Sequence, residues 1–318
     1  MMPVIRADEK VTSLALPQPF LERLRSIIPV PLLPQVEGSF SAKTHAGLRV
    51  NTLKTTVPEA KAFLKGMDIS WQEVPWCSYA LWVPVPSLKE ILASSWASEG
   101  KLYSQGVESQ IPVLVLDPRP GETVLDLCAA PGSKTTQIAA HMNNEGTLVA
   151  NEPVRDRFFR LRSVVDLMGA RVTLKMVDGQ RFDGRGTLFN RILVDAPCSS
   201  EGRFNVHEPK TTRYWSVRKV HEMAHKQKGL LLNASRLLKP GGILVYATCT
   251  FAVEENEAVV DWLLRKTQGL LSLEPVALDG VPSYLAQTPV APQAARCLRV
   301  LPDGRMEGFF TAKFVLTG

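Results

Sequence analysis

The chain has 318 residues, a net charge of +6 at pH 7 and 45 % apolar residues. This length suffices for one large domain or two ordinary ones, and the apolar fraction argues against global disorder. No apolar run approaches the ~20 residues that cross a bilayer, and residues 1–10 lack a secretory apolar segment. We therefore expect a cytoplasmic protein with no membrane partner.

The first 105 residues predict a small α+β unit rich in short elements. Its expected elements are a helical region within 16–40, centred on 19–28, that breaks at Pro29, Pro31 and Pro34, then a strand over 48–53, a helix over 58–65 and two strands within 71–85. Three tryptophans in the last segment either hold this small core or stack on bases.

From residue 106 onward, strands and helices alternate. Strands are expected at 123–127, 147–151, 172–177, 191–195 and 243–247, and helices at 134–142, 153–168, 218–238 and 254–266. A late strand at 308–317 is expected to pair near 272–276, in an antiparallel sense. This alternation predicts an α/β fold with a parallel sheet covered on both faces, and domains at 1–105 and 106–318.

Five residues with useful chemistry fall at the predicted carboxyl ends of these strands. They are Asp126, Glu152, Asp178, Asp195 and Cys249. Ligands of parallel sheets bind in the crevice outside those ends. The pattern therefore predicts one site along this edge of the sheet.

The loop at 128–134 joins the first strand of this sheet to a helix and contains only small residues before Lys134. Its spacing does not match a P-loop, and a Gly-x-Gly-x-x-Gly dinucleotide motif is absent. S-adenosylmethionine fits best, because it has a ribose and an adenine but no phosphate. Glu152 would bind the ribose hydroxyls and Asp178 the adenine amino group. An ordinary tight turn between strand and helix is the alternative.

Two cysteines follow two of the predicted strands, in Asp195-Ala-Pro-Cys198 and Ala247-Thr-Cys249. A thiolate that adds to carbon 6 of cytosine makes carbon 5 nucleophilic, which is covalent catalysis of methyl transfer. Asp195 is a candidate donor near N3 of the base, and Lys134 a candidate for orienting the base. These residue types leave open which thiol attacks.

The other three cysteines are expected to have structural and not catalytic roles. Cys77 and Cys297 are expected to pack as small hydrophobic residues, and Cys128 to pack with its backbone near the cofactor. The five cysteines have no metal-binding spacing, and their odd number does not indicate a disulfide framework. We expect reduced thiols and no metal.

These motifs, with Leu238-Lys-Pro-Gly-Gly and Glu254-Glu-Asn-Glu, resemble the RNA cytosine-5 methyltransferase family, in its Sun or bacterial Fmu-like group. The resemblance runs from about Leu48 to the C-terminus. It departs from the family pattern at Ser133, where the family often has Gly, and at Thr250, where it often has Ser, and both replacements are small. It implies a Rossmann-like class I methyltransferase sheet with an N-terminal RNA-recognition-like unit, Cys249 as nucleophile and Cys198 as the residue that assists product release. It also implies a cofactor site formed by Cys128, Ala129, Ala130, Pro131, Gly132, Ser133, Lys134, Glu152, Arg157, Asp178 and Asp195.

The positive charge is concentrated in the second part of the chain. Residues 155–191 carry nine Arg or Lys against four Asp, and residues 203–228 carry seven basic against two acidic residues. This distribution predicts a footprint for a phosphate backbone, or otherwise a solvated basic face. We expect a monomer that acts on RNA, with rRNA favoured and tRNA next. A non-catalytic RNA-binding ribosome-assembly factor and a DNA methyltransferase are the alternatives.

Overall fold

The structure is a computed structural model that describes residues 16–41, 43–288 and 292–317. Its first part contains a four-stranded sheet of order β2-β3-β1-β4. The helices are α1 (Gln18–Ile27), α2 (Leu33–Ser39), α3 (Val57–Gly66), α4 (Val85–Ala93) and α5 (Ser95–Ser98), and the strands are β1 (His45–Val50), β2 (Gln72–Val74), β3 (Cys77–Pro84) and β4 (Leu102–Ser104).

The second part contains a larger sheet with helices on both faces. Its helices are α6 (Ile111–Leu116), α7 (Ser133–His141), α8 (Arg155–Met168), α9 (Val217–Arg236) and α10 (Glu257–Thr267). Its strands are β5 (Thr123–Asp126), β6 (Thr147–Asn151), β7 (Thr173–Lys175), β8 (Phe189–Asp195), β9 (Leu238–Thr248), β10 (Leu271–Glu274), β11 (Leu298–Val300) and β12 (Phe309–Leu316).

The large sheet has the order β10-β12-β9-β8-β5-β6-β7, with β11 paired to β12 outside this path. Strands β9, β8, β5, β6 and β7 are parallel to one another, whereas β12 runs antiparallel to both β9 and β10. Chain order reverses at β5, which has β6 on one side and β8 on the other. This topology confirms the predicted Rossmann-like α/β fold and the antiparallel strand near the C-terminus. A ligand crevice is expected beside β5, where the chain order of the strands reverses.

Helices α1 and α2 pack against the larger half of the molecule. The ring of Phe20 lies 4.8 Å from that of Phe204 and 5.8 Å from that of Trp215, and Phe40 contacts both Phe20 and Phe251.

The division of the chain into 1–105 and 106–318 stays a prediction, and residues 1–15 lie outside the described residues.

A buried arginine joins the two sheets. Arg49 lies on β1 and is 1 % exposed. Its Nε donates to Gln105 Oε1 at 2.8 Å and its Nη2 to Thr136 Oγ1 on α7 at 2.7 Å. Burial lowers the pKa of Arg49 to about 10, so the guanidinium stays charged at neutral pH while neutral groups satisfy it.

Several predicted boundaries differ from the structure: the strand predicted over 48–53 is His45–Val50 and the strand predicted over 243–247 is Leu238–Thr248. Three further differences have a clear physical reason. Pro34 does not break a helix but lies in the first turn of α2, where a missing N–H costs no hydrogen bond. The helix predicted over 218–238 ends at Arg236, because Leu238 already pairs with Phe189 of β8. The helix predicted over 254–266 begins at Glu257, since the backbone of Asn256 is non-helical.

We predict that Phe20→Ala destabilises the protein by about 3–5 kcal/mol, because it empties an aromatic cluster in which Phe20 is 1 % exposed. Chemical denaturation measures this loss. Gln18→Ala on the exposed side of the same helix is the control, with an expected change within about 0.5 kcal/mol. Equal stability of the two variants would contradict the packing of α1 described above.

Candidate active site

A cavity of about 770 Å³ opens at the carboxyl ends of the central strands. It is bordered by the large sheet, by β4 and the residues after it, and by the start of β12. Among the predicted residues, those that line it are Cys128, Ala130, Pro131, Ser133, Lys134, Glu152, Arg157, Asp178, Asp195, Cys198 and Cys249. One cavity therefore contains both the predicted catalytic groups and most of the predicted cofactor contacts.

Neighbouring parallel strands bring the two thiols together. Asp195 at the end of β8 pairs with Ala247 on β9, and each cysteine follows its strand within three residues. The Sγ atoms of Cys198 and Cys249 are 3.3 Å apart, and both thiols are free. Since a disulfide has an S–S distance near 2.05 Å, this distance is a hydrogen bond between thiols.

The two thiols differ in their tendency to ionise. The hydrogen bond with Cys198 lowers the pKa of Cys249, and the positive charge of Arg203 acts in the same direction. The same hydrogen bond, together with burial, raises the pKa of Cys198 well above its ordinary value. Because the thiolate is the nucleophilic form, this asymmetry favours attack by Cys249.

An ion pair lies beside the thiols. The ammonium of Lys134 donates to Asp195 Oδ2 and to Ser109 Oγ, both at 2.8 Å. It also lies 5.3 Å from the centroid of the Phe309 ring. An ammonium has three N–H donors, so one of them is left for a ligand in the cavity. The pair can thus present a donor and an acceptor to the polar edge of a base.

The other end of the cavity is acidic. Glu152 follows β6, accepts from the Val154 N–H at 2.9 Å and lies 3.5 Å from Arg157 Nη2. Arg157 also donates to the carbonyl of Ala130 at 2.9 Å, which ties Glu152 to the loop after β5. Asp178 accepts from the Gln180 N–H at 3.0 Å and is exposed to the cavity. Both carboxylates keep acceptor positions for hydroxyl or amine donors.

Three residues expected at this edge of the sheet do not line the cavity. Ala129 packs with Ala150 and Leu161 behind the loop. Gly132 has φ +113°, and a Cβ there would lie 3.2 Å from Leu161, so its open side faces α8. Asp126 accepts from Thr135 Oγ1 at 2.7 Å in the interior, where burial raises its pKa to about 7. These residues shape the turn from within.

Several charged residues of the cavity were not among the predicted site residues, although Arg203 begins the basic segment 203–228. Glu307 accepts from Lys43 and lies 3.5 Å from Arg203 Nε, so one carboxylate links two cations at the entrance. Glu108 is 4 % exposed, and burial with the nearby charge of Glu307 raises its pKa to about 7. Glu108, Glu307 and their partners come from separate segments of the chain, and only the structure brings them together.

Two further features concern the described residues alone. In that part of the chain, no group of three or more His, Cys, Asp or Glu side chains is arranged to hold a metal ion. None of the helices within the same ranges is long and apolar enough to cross a membrane. The expectations of a metal-free, cytoplasmic monomer stay predictions.

These features define a Rossmann-like methyltransferase: the topology of the large sheet, the cavity where its chain order reverses, and the two neighbouring loops that carry Cys198 and Cys249. A family model described as 16S rRNA methyltransferase RsmB/F matches residues 113–315. The chain belongs to this RsmB/F family of RNA methyltransferases, which confirms the resemblance drawn from the motifs.

Known relatives are similar over most of the chain. A tRNA (cytosine(49)-C(5))-methyltransferase of Pyrococcus abyssi is 38 % identical over 273 residues, covering 84 % of this chain and 86 % of the relative. Ribosomal RNA small subunit methyltransferase F of Vibrio cholerae is 35 % identical over 310 residues, covering 95 % of this chain but 64 % of the relative. A methyltransferase homolog protein from Pyrococcus horikoshii superposes with a TM-score of 0.82 at 29 % identity, covering 95 % of this chain and 96 % of that one.

We predict that Cys249 is alkylated by iodoacetamide faster than Cys198 near neutral pH, because its lowered pKa leaves more thiolate. Arg203→Gln removes a neighbouring positive charge and should shift the rate of Cys249 alkylation to higher pH. Mass spectrometry of the labelled peptides measures both rates across the pH range.

Arg213→Gln is the control for this shift, because Arg213 belongs to the same basic segment but lies over the ring of Tyr214. It should leave the pH dependence of alkylation as in the wild type. Faster labelling of Cys198 than of Cys249 would contradict the described asymmetry.

Proposed function

We propose that this chain transfers a methyl group from S-adenosylmethionine to carbon 5 of a cytosine in RNA, through a covalent Cys249 adduct at carbon 6. The observation that carries the proposal is the pair of thiols, 3.3 Å apart, in one cavity with the Lys134–Asp195 ion pair. The names of the relatives, which include a tRNA and an rRNA methyltransferase, support RNA as the substrate. Our proposal keeps rRNA as the favoured substrate and tRNA as the next.

The acidic end of the cavity fits S-adenosylmethionine. Glu152 would accept from the ribose hydroxyls and Asp178 from the adenine amino group, with Cys128 and Ala130 beside them in the cavity wall. Arg157 orients Glu152, since it contacts both Glu152 and the carbonyl of Ala130 in the loop. When bound, this compound supplies an electrophilic methyl group on a sulfonium.

Attack on the base begins at Cys249. Addition of its thiolate to carbon 6 breaks the conjugation of the cytosine ring and makes carbon 5 nucleophilic. Negative charge then develops on the ring, and the Lys134–Asp195 pair is suited to bind the polar edge where it collects. Water is the candidate base for removing the proton from carbon 5.

Release requires the bond between sulfur and carbon 6 to break. As the electrons return to Cys249 Sγ, a proton donor beside it stabilises the departing thiolate. Cys198 is hydrogen-bonded to that sulfur, and its raised pKa keeps it protonated near neutral pH. We assign Cys198 to this step.

Binding of RNA would use the basic surface near the cavity. Lys43, Arg203 and Arg305 belong to its lining, and Arg155 and Arg157 lie in the first turn of α8. The target base must leave its stack to enter a closed site of this kind. In this proposal residues 1–105 form an RNA-recognition-like domain and residues 106–318 the catalytic domain.

A non-catalytic ribosome-assembly factor with this fold is the second candidate. It would need the fold and the basic surface but not the thiols. Two free cysteines at hydrogen-bond distance beside a buried lysine argue against it, because a binding protein gains nothing from that arrangement.

Cys249→Ala should abolish methyl transfer, with a loss of about 10⁴-fold or more, while RNA affinity stays within a few-fold. Cys198→Ala should accumulate a protein–RNA adduct that survives denaturing electrophoresis, because addition proceeds but release is slowed. Cys297→Ala, a buried cysteine outside the cavity, is the matched control for both. Continued turnover by Cys249→Ala would reject the assigned nucleophile, and the absence of a stable band would reject the release role.

Tritium from labelled S-adenosylmethionine should enter RNA and not DNA of the same sequence. Bisulfite sequencing of RNA from cells with and without the gene should then show the methylated cytosine. Equal labelling of DNA would favour a DNA methyltransferase. Binding of RNA without any labelling would favour the assembly factor.

A further inference from the structure

Two carboxylates are buried beside the thiols without entering the proposed chemistry. Glu201 is 2 % exposed and Glu255 is 0 % exposed. Their hydrogen-bond partners are neutral groups of the backbone and of side chains. Burial raises the pKa of both, that of Glu255 to about 7. A carboxylate that is buried among neutral donors contributes little to the stability of the fold, because its desolvation is costly. Glu201 and Glu255 are therefore expected to have a role other than stabilising the fold.

Glu201 belongs to the loop of Cys198 but binds the loop of Cys249. Its Oε2 accepts from Thr250 Oγ1 at 2.8 Å and from the Phe251 N–H at 3.1 Å. Its Oε1 accepts from Trp215 Nε1 at 2.9 Å, which fixes the other end of the carboxylate. The two residues directly after Cys249 are thus held by a side chain from the opposite loop.

Glu255 makes the reciprocal connection. It follows the loop of Cys249, and its Oε2 accepts from the Ser199 N–H at 3.0 Å, directly after Cys198. Gln227 Nε2 donates to the same oxygen at 2.8 Å and to the carbonyl of Pro197 at 3.0 Å. The residues on both sides of Cys198 are therefore tied to Glu255.

Direct contacts between the loops complete the arrangement. The hydroxyls of Ser199 and Thr250 are 2.8 Å apart, and the Gly202 N–H donates to the carbonyl of Cys249 at 2.9 Å. A Cβ on Gly202 would lie 3.1 Å from the Cys249 carbonyl oxygen and 2.2 Å from that of Gly308 before β12, so no side chain fits at this position. We call Ser199, Glu201, Thr250 and Glu255 the carboxylate clamp.

We propose that Glu201 and Glu255 are positioning residues that hold the Cys198 and Cys249 sulfurs within hydrogen-bond distance. The role in turnover rests on the proposed function, because it matters only if both thiols act on one base. Each carboxylate acts through the backbone next to a cysteine and touches no substrate. Loosening either half of the clamp separates the sulfurs and removes the hydrogen bond that makes Cys249 the stronger nucleophile.

The rate of disulfide formation between the two cysteines measures their spacing independently of turnover. Diamide takes two electrons and two protons from a pair of thiols, and the Cys198–Cys249 peptide is then quantified by mass spectrometry. Thr250→Val, Glu201→Gln and Glu255→Gln should slow this reaction about tenfold relative to wild type. They should also lower kcat for methyl transfer by about 10- to 100-fold at an unchanged KM.

Two comparisons separate positioning from loss of stability. Thr250→Ser keeps the hydroxyl that Thr250→Val lacks and should restore most of the oxidation rate and kcat. Glu122→Gln removes a partly buried carboxylate that pairs with Arg191, at the start of β5 away from the cavity, and should match the wild type in both. Circular dichroism reports which variants are folded. If Glu201→Gln and Glu255→Gln do not fold, the comparison of Thr250→Val with Thr250→Ser decides the outcome.

Wild-type oxidation rates in the folded clamp variants would overturn the proposal, even if their kcat fell. A wild-type protein that methylates no RNA would instead reject the proposed function. In that case the oxidation rates would still decide whether the clamp sets the distance between the sulfurs.

Discussion

Parallel pairing of β8 with β9 controls the geometry of the site. Leu193 lies opposite Val245 and Asp195 opposite Ala247, and the Ala196 N–H continues the ladder to the Ala247 carbonyl at 2.9 Å. Most apolar residues of both strands are buried because helices cover both faces. A slip of one residue would turn every side chain to the other face, so the register is strongly specified. It is this register that lets two cysteines distant in sequence meet as a pair.

The sequence predicts this edge of the sheet well, and for a physical reason. Hydrophobic runs of strand length, separated by helical stretches, fix which residues end a strand, and the ends of parallel strands share one side. Glu152, Asp178 and Asp195 follow from that argument. Asp126 does not, because its side chain turns inward to Thr135, and strand length alone does not reveal the direction of the last side chain.

What could not be predicted is the set of contacts between loops. Glu255 belongs to the Glu254-Glu-Asn-Glu motif and Glu201 lies three residues after Cys198, but nothing in the sequence shows that each binds the opposite loop. The same holds for Glu307 with Lys43 and Arg203, which come from three separate segments. Periodicity reports which face of an element is buried, whereas these contacts depend on how irregular segments meet after the sheet has formed.

The small sheet supports the chemistry through Arg49. Its guanidinium reaches Thr136 Oγ1 and, at 3.3 Å, the carbonyl of Ser133, on either side of Lys134. The turn of α7 that carries Lys134 is therefore fixed from β1, and Lys134 in turn orients Asp195. A charge buried among neutral partners is costly to keep, as its lowered pKa shows. That cost is offset only while the two sheets stay together, so the same contact that joins the sheets also orients the ion pair in the cavity.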